Sequence, residues 1–211
     1  MTNEPRRALL VIDVQKDYFS DLQGSLPLEY PPTVATLANI GRVMDATRSH
    51  HIPIVVVQHL APSTSPVMAI NSFGAELHPE VASRHYDHFI TKEQPDAFCG
   101  TDLAQWLKEQ AIDTVTVVGY MTHNCDLSTI ISGMHMGWSM EFLNDCASSL
   151  PYANQAGRAT AEEIHRIVSV VLQARFAAVL TAAQWVAGLE SGEVPERSNI
   201  LSSFRQAKLE S

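Results

Sequence analysis

Three ionisable side chains, those of Asp13, Lys92 and Cys125, stand where apolar strand patterns end. A thiol can act as a nucleophile, a carboxylate can carry a proton, and an ammonium group can hold a thiolate and anionic intermediates. Asp13 interrupts the apolar run LLVIDV, where a carboxylate without a partner is costly. Taken singly, the three have ordinary interpretations as a turn residue, a strand-end lysine and a small core cysteine. Their combination predicts covalent catalysis.

Cys125 stands where a strand pattern passes into a helix pattern. The β-branched run at residues 114–118 predicts a buried parallel strand, Gly119 ends it, and helical spacing of apolar residues begins at about Asn124. The first N–H groups of a helix lack internal partners and carry partial positive charge, so they can stabilise a thiolate and an oxyanion. Cys99 and Cys146 have no base or cation nearby in sequence, and we interpret both as structural.

The rest of the chain alternates between strand and helix patterns. Strands are predicted at residues 8–14, 54–58, 88–91, 114–118, 139–143 and 177–180. Helices are predicted at residues 33–50, 101–110, about 124–134, 155–172 and 182–188, with a short helical turn near residue 80. This alternation predicts an α/β fold, a three-layer αβα sandwich around a doubly wound, Rossmann-like parallel sheet. Ligands bind beyond the carboxyl ends of such strands, where the three ionisable residues fall.

Composition limits the class of protein. We expect one domain over residues 1–211, because the chain is 45% hydrophobic and has no linker composition. Three cysteines without a tight spacing predict neither a disulfide framework nor a zinc cluster, and favour a reducing, cytoplasmic setting. The run at residues 8–12 is too short for a signal peptide, and no stretch approaches the length of a membrane span. A net charge of −9 argues against nucleic acid as a partner.

Four segments resemble the isochorismatase-like cysteine hydrolases, which include nicotinamidases and N-carbamoylsarcosine amidohydrolase. The segments are LLVIDVQKDYF, FITKEQPDAFCGTDL, VVGYMTHNCDLSTIISGMHMGW and RFAAVLTAAQWV. The resemblance implies an Asp, Lys, Cys catalytic triad at Asp13, Lys92 and Cys125, on a six-stranded sheet of order 3-2-1-4-5-6. It also implies hydrolysis of a C–N bond in a small amide, carbamoyl or lactam compound, through a thioester on a cysteine thiolate.

The resemblance implies further features of the site. A cis, non-proline peptide bond is expected between Tyr120 and Met121, which would aim the N–H groups of Met121 and Cys125 at the developing oxyanion. Aromatic residues flanking the triad could wall a substrate pocket, namely Phe19, Phe98 and Tyr120. The family is usually oligomeric, so a homodimer or larger assembly is expected. The C-terminal tail, residues 189–211, contains Ile200, Leu201 and Phe204, which could pack on a neighbouring subunit.

Departures from relatives bear on the chemistry. Nicotinamidases carry an Asp-x-His pair after the second strand to bind a metal, whereas this chain has Val57, Gln58 and His59 there. His59 and His78 remain, but without the carboxylate we expect no metal and no other cofactor. True isochorismatases act on a vinyl ether and lack the nucleophile, so Cys125 favours amide chemistry. Two alternatives stay open: a metal-dependent nicotinamidase-type amidase, and a non-enzymatic binding or redox module in which Cys125 is a reactive thiol.

Four other polar residues have structural interpretations. We expect Gln15 and Asp17 to fix the turn after the first strand rather than to touch substrate. Asn124 is interpreted as a cap of the helix beginning near Cys125, and assistance to the oxyanion is the alternative. His165, on the long helix, is interpreted as a solvated or interface residue. The substrate itself cannot be predicted, because specificity lies in the irregular segments at residues 17–32 and 59–87 and in subunit contacts.

Overall fold

A six-stranded parallel sheet forms the centre of the protein, which a computed structural model describes over residues 5–209. Its strands are β1 (Arg7–Ile12), β2 (Ile54–His59), β3 (His88–Lys92), β4 (Thr114–Tyr120), β5 (Ser139–Ser148) and β8 (Ala178–Leu180). They are arranged β3-β2-β1-β4-β5-β8, and every neighbouring pair is parallel. Counted along the chain, this is the predicted order 3-2-1-4-5-6.

Helices cover both faces of the sheet. They are α1 (Thr33–Ser49), α2 (Pro79–Ala82), α3 (Leu103–Glu109), α4 (Leu127–His135), α5 (Ala161–Arg175), α6 (Ala182–Ser191) and α7 (Ile200–Leu209). Alternate residues of β1 point to opposite faces, so Leu9 and Val11 pack in one core and Leu10 in the other. The first core includes residues of α1 and α6, and the second includes residues of α3, α4 and α5. The αβα sandwich is therefore as predicted.

The structure differs from the predicted elements at three places. The helix predicted over residues 155–172 begins only at Ala161, because Thr160 and Glu163 form a reciprocal capping box there. Before it lies a small antiparallel hairpin of β6 (Tyr152–Asn154) and β7 (Gly157–Ala159). The fifth predicted strand continues to Ser148. The tail, to which no helix or strand was assigned, contains α7, and its last two residues lie outside the described chain.

None of the helices within residues 5–209 combines the length and the apolar character needed to cross a membrane.

Candidate active site

The ends of β1, β3 and β4 bring Asp13, Lys92 and Cys125 together. The Lys92 Nζ atom lies 2.7 Å from Asp13 Oδ2 and donates a hydrogen bond to Cys125 Sγ at 3.3 Å. All three residues are buried. Lys92 is the last residue of β3 and reaches past β2 to Asp13, which directly follows β1. One buried ammonium group therefore contacts both a carboxylate and a thiol.

The backbone of Asp13 has an uncommon conformation. Its φ of +50° lies in the left-handed region, which non-glycine residues seldom occupy. The Asp13 N–H donates to the Val57 carbonyl of β2 at 3.0 Å, and the Asp13 carbonyl accepts from the Gln15 N–H at 2.8 Å. Neighbouring structure thus holds the strained residue on both sides, a pattern that is common at functional sites.

Cys125 lies on a single π-helical turn, Thr122–Asp126, between β4 and α4. The Tyr120–Met121 peptide bond before this turn is cis, as the resemblance implied. Inside the turn, the N–H groups of Asn124 and Asp126 both donate to the Met121 carbonyl, at 3.0 and 3.3 Å. The interpretation of Asn124 as a helix cap is wrong, since α4 begins at Leu127 with Asp126 at the N-cap position and no side-chain cap.

The charges of the site follow from its burial. Burial raises the pKa of the Cys125 thiol, Asp13 raises it further, and Lys92 opposes both. Burial alone would lower the pKa of Lys92, but Asp13 and Cys125 outweigh it and the pKa lies above its ordinary value. Burial therefore favours the neutral thiol at Cys125, and Asp13 favours the ammonium form of Lys92. The expected resting thiolate is not favoured, because Cys125 is desolvated and α4 begins two residues after it.

Buried polar side chains without partners gather at this edge of the sheet. Over residues 5–209, the buried side-chain nitrogen and oxygen atoms that lack a hydrogen bond belong to Asp13, His59, His123 and Asp126. Asp13 Oδ2 is within ion-pair distance of Lys92, but neither Asp13 oxygen accepts an aligned hydrogen bond. Asp13 directly follows β1, His59 is the last residue of β2, and His123 and Asp126 lie in the turn after β4. These three strands are neighbours in the sheet. Buried polar groups without a partner are rare, and each calls for an explanation, such as a catalytic role or a bound water molecule or ion.

Sequence reasoning missed Asp126, His123, Tyr18 and Tyr152. His123 Nδ1 shares a hydrogen bond with the Ser149 hydroxyl at 3.1 Å. The His123 ring packs edge-on against the Tyr152 ring of β6, with 4.8 Å between the ring centroids. Burial lowers the pKa of His123 to about 4. Burial and then Cys125 raise the pKa of both Tyr18 and Tyr152. A sequence signal existed only for Asp126, an acid directly between the candidate nucleophile and an apolar helix.

The three aromatic residues predicted to wall a pocket are buried in the cores. Tyr120 shares a hydrogen bond with the Thr36 hydroxyl of α1 at 2.8 Å and packs edge-on against Phe19 at 5.8 Å. Phe98 stacks on Trp138 at 5.1 Å, in the same hydrophobic cluster as Cys125. Packing explains all three positions, and their contact with substrate stays a prediction.

The two histidines considered as metal ligands have different surroundings. His78 Nδ1 accepts from the Glu80 N–H at 3.1 Å and so caps α2, and its ring packs on Phe19. His59 is partly buried with an unpartnered Nδ1, and burial, followed by Lys92, lowers its pKa. Residues 5–209 contain no group of three or more histidine, cysteine or acidic side chains placed to hold a metal ion. The side chains near His59 and His78 therefore do not by themselves form a three-ligand metal site in the described chain.

His165 corrects one interpretation from the sequence. It is buried rather than solvated, and its Nδ1 lies 2.9 Å from the Thr122 hydroxyl in the turn that carries Cys125. Gln15 and Asp17 connect the first turn to the long segment after β2, as expected of structural residues. Gln15 bonds to both backbone groups of His59, and Asp17 accepts from the Met68 N–H.

Comparison with known proteins assigns the family. An isochorismatase domain profile matches residues 7–184. The crystal structure of a putative isochorismatase from Burkholderia xenovorans LB400 superposes with a TM-score of 0.96 at 53% identity, over 99% of both chains. The isochorismatase family protein YddQ of Bacillus subtilis (strain 168) is 29% identical over 82% of this chain and 95% of its own. The nicotinamidase of Escherichia coli (strain K12) is 24% identical over 67% of this chain and 82% of its own. The chain therefore belongs to the isochorismatase family of hydrolases.

Proposed function

We propose that the protein is a cysteine hydrolase that cleaves a C–N bond of a small amide, carbamoyl or lactam compound. The observation that supports this is the contact of the buried Lys92 ammonium group with both Asp13 and Cys125. A fully buried ion pair costs desolvation energy and is weak evidence of a stabilising role. Next to the free thiol of Cys125, however, the Asp13–Lys92 pair would provide a base and a cation for a cysteine nucleophile.

In the first half-reaction, Cys125 Sγ attacks the substrate carbonyl carbon while the thiol proton passes to the Asp13 carboxylate. The new S–C bond and the negative charge on the carbonyl oxygen define a tetrahedral intermediate. The C–N bond then breaks, and the leaving nitrogen takes the proton from Asp13. A thioester on Cys125 remains, and Lys92 stays protonated throughout.

In the second half-reaction, water replaces the amine. Asp13 accepts a proton from the water as its oxygen attacks the thioester carbonyl. The C–S bond breaks, the sulfur regains the proton from Asp13, and a carboxylic or carbamic acid leaves. In both halves the backbone N–H groups of Met121 and Cys125 would stabilise the oxyanion.

The test is release of ammonia from a panel of primary amides and carbamoyl compounds, and formation of the ring-opened amino acid from a panel of lactams. Intact-protein mass spectrometry after rapid acid quench detects the acyl group, and peptide mapping locates it. We expect acylation at Cys125, and hydroxamate formation when hydroxylamine is added. Cys125→Ala is expected to lose turnover by roughly a thousandfold or more, because it removes the nucleophile. Cys99→Ser is the matched control and keeps full activity. Turnover by Cys125→Ala would overturn the proposal.

One specific comparison favours a second candidate. Curated nicotinamidases are among the relatives, so a nicotinamidase-type amidase that takes up a metal is the competing function. Dialysis against a chelator separates the two. The metal-independent mechanism predicts unchanged turnover, whereas loss of activity that zinc or iron restores would favour the nicotinamidase type. A chain that binds amides but never acylates or releases ammonia would be a binding module.

A further inference from the structure

Buried carboxyl groups in this protein fall into two kinds. Glu141 is satisfied on all sides, since its oxygens accept from Arg7 at 2.9 Å, Thr116 at 2.6 Å and Trp185 at 2.8 Å. Asp126 is equally buried, yet within residues 5–209 neither of its oxygens has a hydrogen-bond partner. A polar group without a partner in the protein interior opposes folding. Asp126 therefore calls for an explanation other than stability.

The position of Asp126 supplies that explanation. It directly follows Cys125 on the π-helical turn, at the edge of the sheet where Asp13, His59 and His123 also present unpartnered atoms. The buried Tyr18 lies near the same groups, since Cys125, Asp13 and Asp126 each raise the pKa of its hydroxyl, after burial itself. The charges of Asp13 and Lys92 act on the Asp126 carboxyl group, so an unpartnered acid adjoins the residues grouped around Cys125.

The chemical state of Asp126 follows from its neighbours. Burial raises the pKa of its carboxyl group, Asp13 raises it further, and Lys92 only partly offsets them. Lys92 is itself held by Asp13. These influences favour the protonated form of Asp126, which has one O–H donor and one carbonyl acceptor side by side.

We propose that the Asp126 carboxyl group binds a second, neutral amide or ureido group of the substrate, next to the carbonyl that Cys125 attacks. A neutral acid and an amide are complementary, because the acid O–H donates to the amide carbonyl while the amide N–H donates to the acid carbonyl. This inference rests on the proposed function and narrows its substrate class to compounds with two neighbouring amide-type groups. An anionic group at this position would face the charge of Asp13 and is disfavoured.

The first test needs no substrate. Urea-unfolding midpoints are compared for wild type, Asp126→Leu, Asp126→Asn and the matched control Glu141→Leu. We expect Asp126→Leu to unfold at an equal or higher urea concentration than wild type, because it removes an unpartnered buried group. We expect Glu141→Leu to unfold at a lower urea concentration than wild type, because it leaves the buried Arg7 guanidinium without its carboxylate partner. A fall in the midpoint of both Asp126 variants, similar to that of Glu141→Leu, would show a structural role and overturn the proposal.

The second test is binding in the Cys125→Ala background by titration calorimetry. The probes are malonamide, succinamide and glutaramide, each paired with the monoamide of the same chain length (propionamide, butyramide or valeramide). We expect at least one diamide to bind about tenfold or more tightly than its monoamide, as for a paired polar contact. Adding Asp126→Leu removes that difference, and adding Asp126→Asn, which keeps a donor and an acceptor, preserves most of it. Failure of every diamide to bind better than its monoamide would overturn the proposal.

Turnover of the same probes separates this inference from the proposed function. If diamides bind through Asp126 but wild type neither acylates at Cys125 nor releases ammonia, the hydrolase proposal fails and the binding role stands. If wild type cleaves diamides and monoamides with equal kcat/KM, and Asp126→Leu changes neither value, the binding role fails and the hydrolase stands.

Discussion

At the scale of single residues, the state of the Cys125 thiol decides how the site works. Burial and Asp13 both raise its pKa, and Lys92 alone lowers it. In the proposed mechanism the proton therefore leaves during attack on substrate, and Asp13 has unused acceptor capacity for it. A resting thiolate would instead react with any small electrophile. The buried, neutral thiol favours selectivity for a substrate that reaches Asp13 and Lys92 correctly.

This state predicts opposite effects of two substitutions on alkylation by iodoacetamide. Asp13→Asn removes a charge that raises the pKa of Cys125, so alkylation of Cys125 accelerates at pH 8 even as turnover is lost. Lys92→Met removes the opposing charge, so alkylation slows. Rates come from mass spectrometry of the Cys125 peptide, with the exposed Cys99 as internal reference. Faster alkylation in Lys92→Met would contradict the charge assignment.

The Asp13–Lys92 pair also predicts a stability difference. Lys92→Met leaves the fully buried Asp13 without its cation, which costs about 3–5 kcal/mol of unfolding free energy. The matched control is Lys16→Met, whose partner Glu76 is exposed and stays hydrated when the lysine is removed, so the cost is within about 1 kcal/mol. Urea unfolding at pH 7 measures both variants. Similar losses of unfolding free energy in the two variants would mean that Lys92→Met does not leave Asp13 as an unpaired buried charge.

Single residues also show where prediction from sequence was possible. Asp13, Lys92 and Cys125 could be found because each is ionisable and stands at the end of an apolar strand pattern. Asp126 and His123 could not be assigned in the same way, since their importance lies in hydrogen bonds they do not make. Whether a polar group has a partner depends on residues far apart in sequence, and spacing carries no information about it.

At the scale of elements, the close contact of β1 and β4 sets the position of the site. Gly119 of β4 has a φ of +121°, and a Cβ atom there would lie 2.0 Å from the Ile12 carbonyl oxygen. Ile12 and Gly119 are also paired in register. Ile12 directly precedes Asp13, and Gly119 lies near the end of β4, shortly before the turn that carries Cys125. Glycine at this position therefore lets the two strands bring Asp13 and Cys125 close together.

Substituting this glycine tests the contact. Gly119→Ala is expected to cost more than about 4 kcal/mol, or to prevent folding, because backbone atoms of β1 cannot move aside. The control is Gly137→Ala, also at positive φ (+101°) but with open space around its Cβ position, where the cost is roughly 1–2 kcal/mol. Thermal and urea unfolding compare the two. Equal costs would show that backbone conformation, and not the strand contact, requires glycine at residue 119.

The contact of α5 with the catalytic turn predicts a pH dependence of stability. Burial, with His123 as a second cause, lowers the pKa of His165 in the folded protein to about 4, against about 6.5 when unfolded. Between these values the unfolded chain binds a proton that the folded protein does not. Stability therefore falls as the pH drops from about 6.5 to about 4, by up to about 3 kcal/mol for this residue.

Urea unfolding across this pH range checks the prediction with two variants. His165→Gln reduces the slope of stability against pH, and a remainder stays because the pKa of His123 is also lowered to about 4. Thr122→Val removes the hydroxyl that contacts His165 but no titrating group, so it lowers stability at every pH and keeps the slope. An unchanged slope in His165→Gln would contradict the assignment.

Prediction from sequence was most accurate for the sheet. Alternating strand and helix patterns, together with the family resemblance, were enough for the strand order and both helical layers. The hairpin of β6 and β7 was missed, because residues 152–159 are exposed and form only short strands. That hairpin brings Tyr152 against His123, so an element without a hydrophobic pattern still shapes the site.

At the scale of the whole molecule, apolar side chains remain exposed on two neighbouring helices. On α5 these are Ile167, Val170 and Val171, and on α7 they are Ile200, Leu201 and Phe204. The segment before α7 is tied to α5 by hydrogen bonds between Ser198 and Gln173 and between Gln173 and Glu196. Exposed apolar side chains concentrated in this way are typical of protein contact surfaces.

We therefore expect these helices to form the interface of a homodimer. A substitution to glutamate on either helix, Val170→Glu or Phe204→Glu, would place a charge in the apolar contact and shift the protein to monomer in sedimentation velocity experiments. Val34→Glu on α1 is the control, because Val34 is more exposed (83%) than Val170 (60%) or Phe204 (58%) but lies outside this surface. Its sedimentation coefficient should match that of wild type. A wild-type protein that sediments as a monomer at the highest concentration reached would contradict the prediction, since the α7 surface would then have no second copy to cover it.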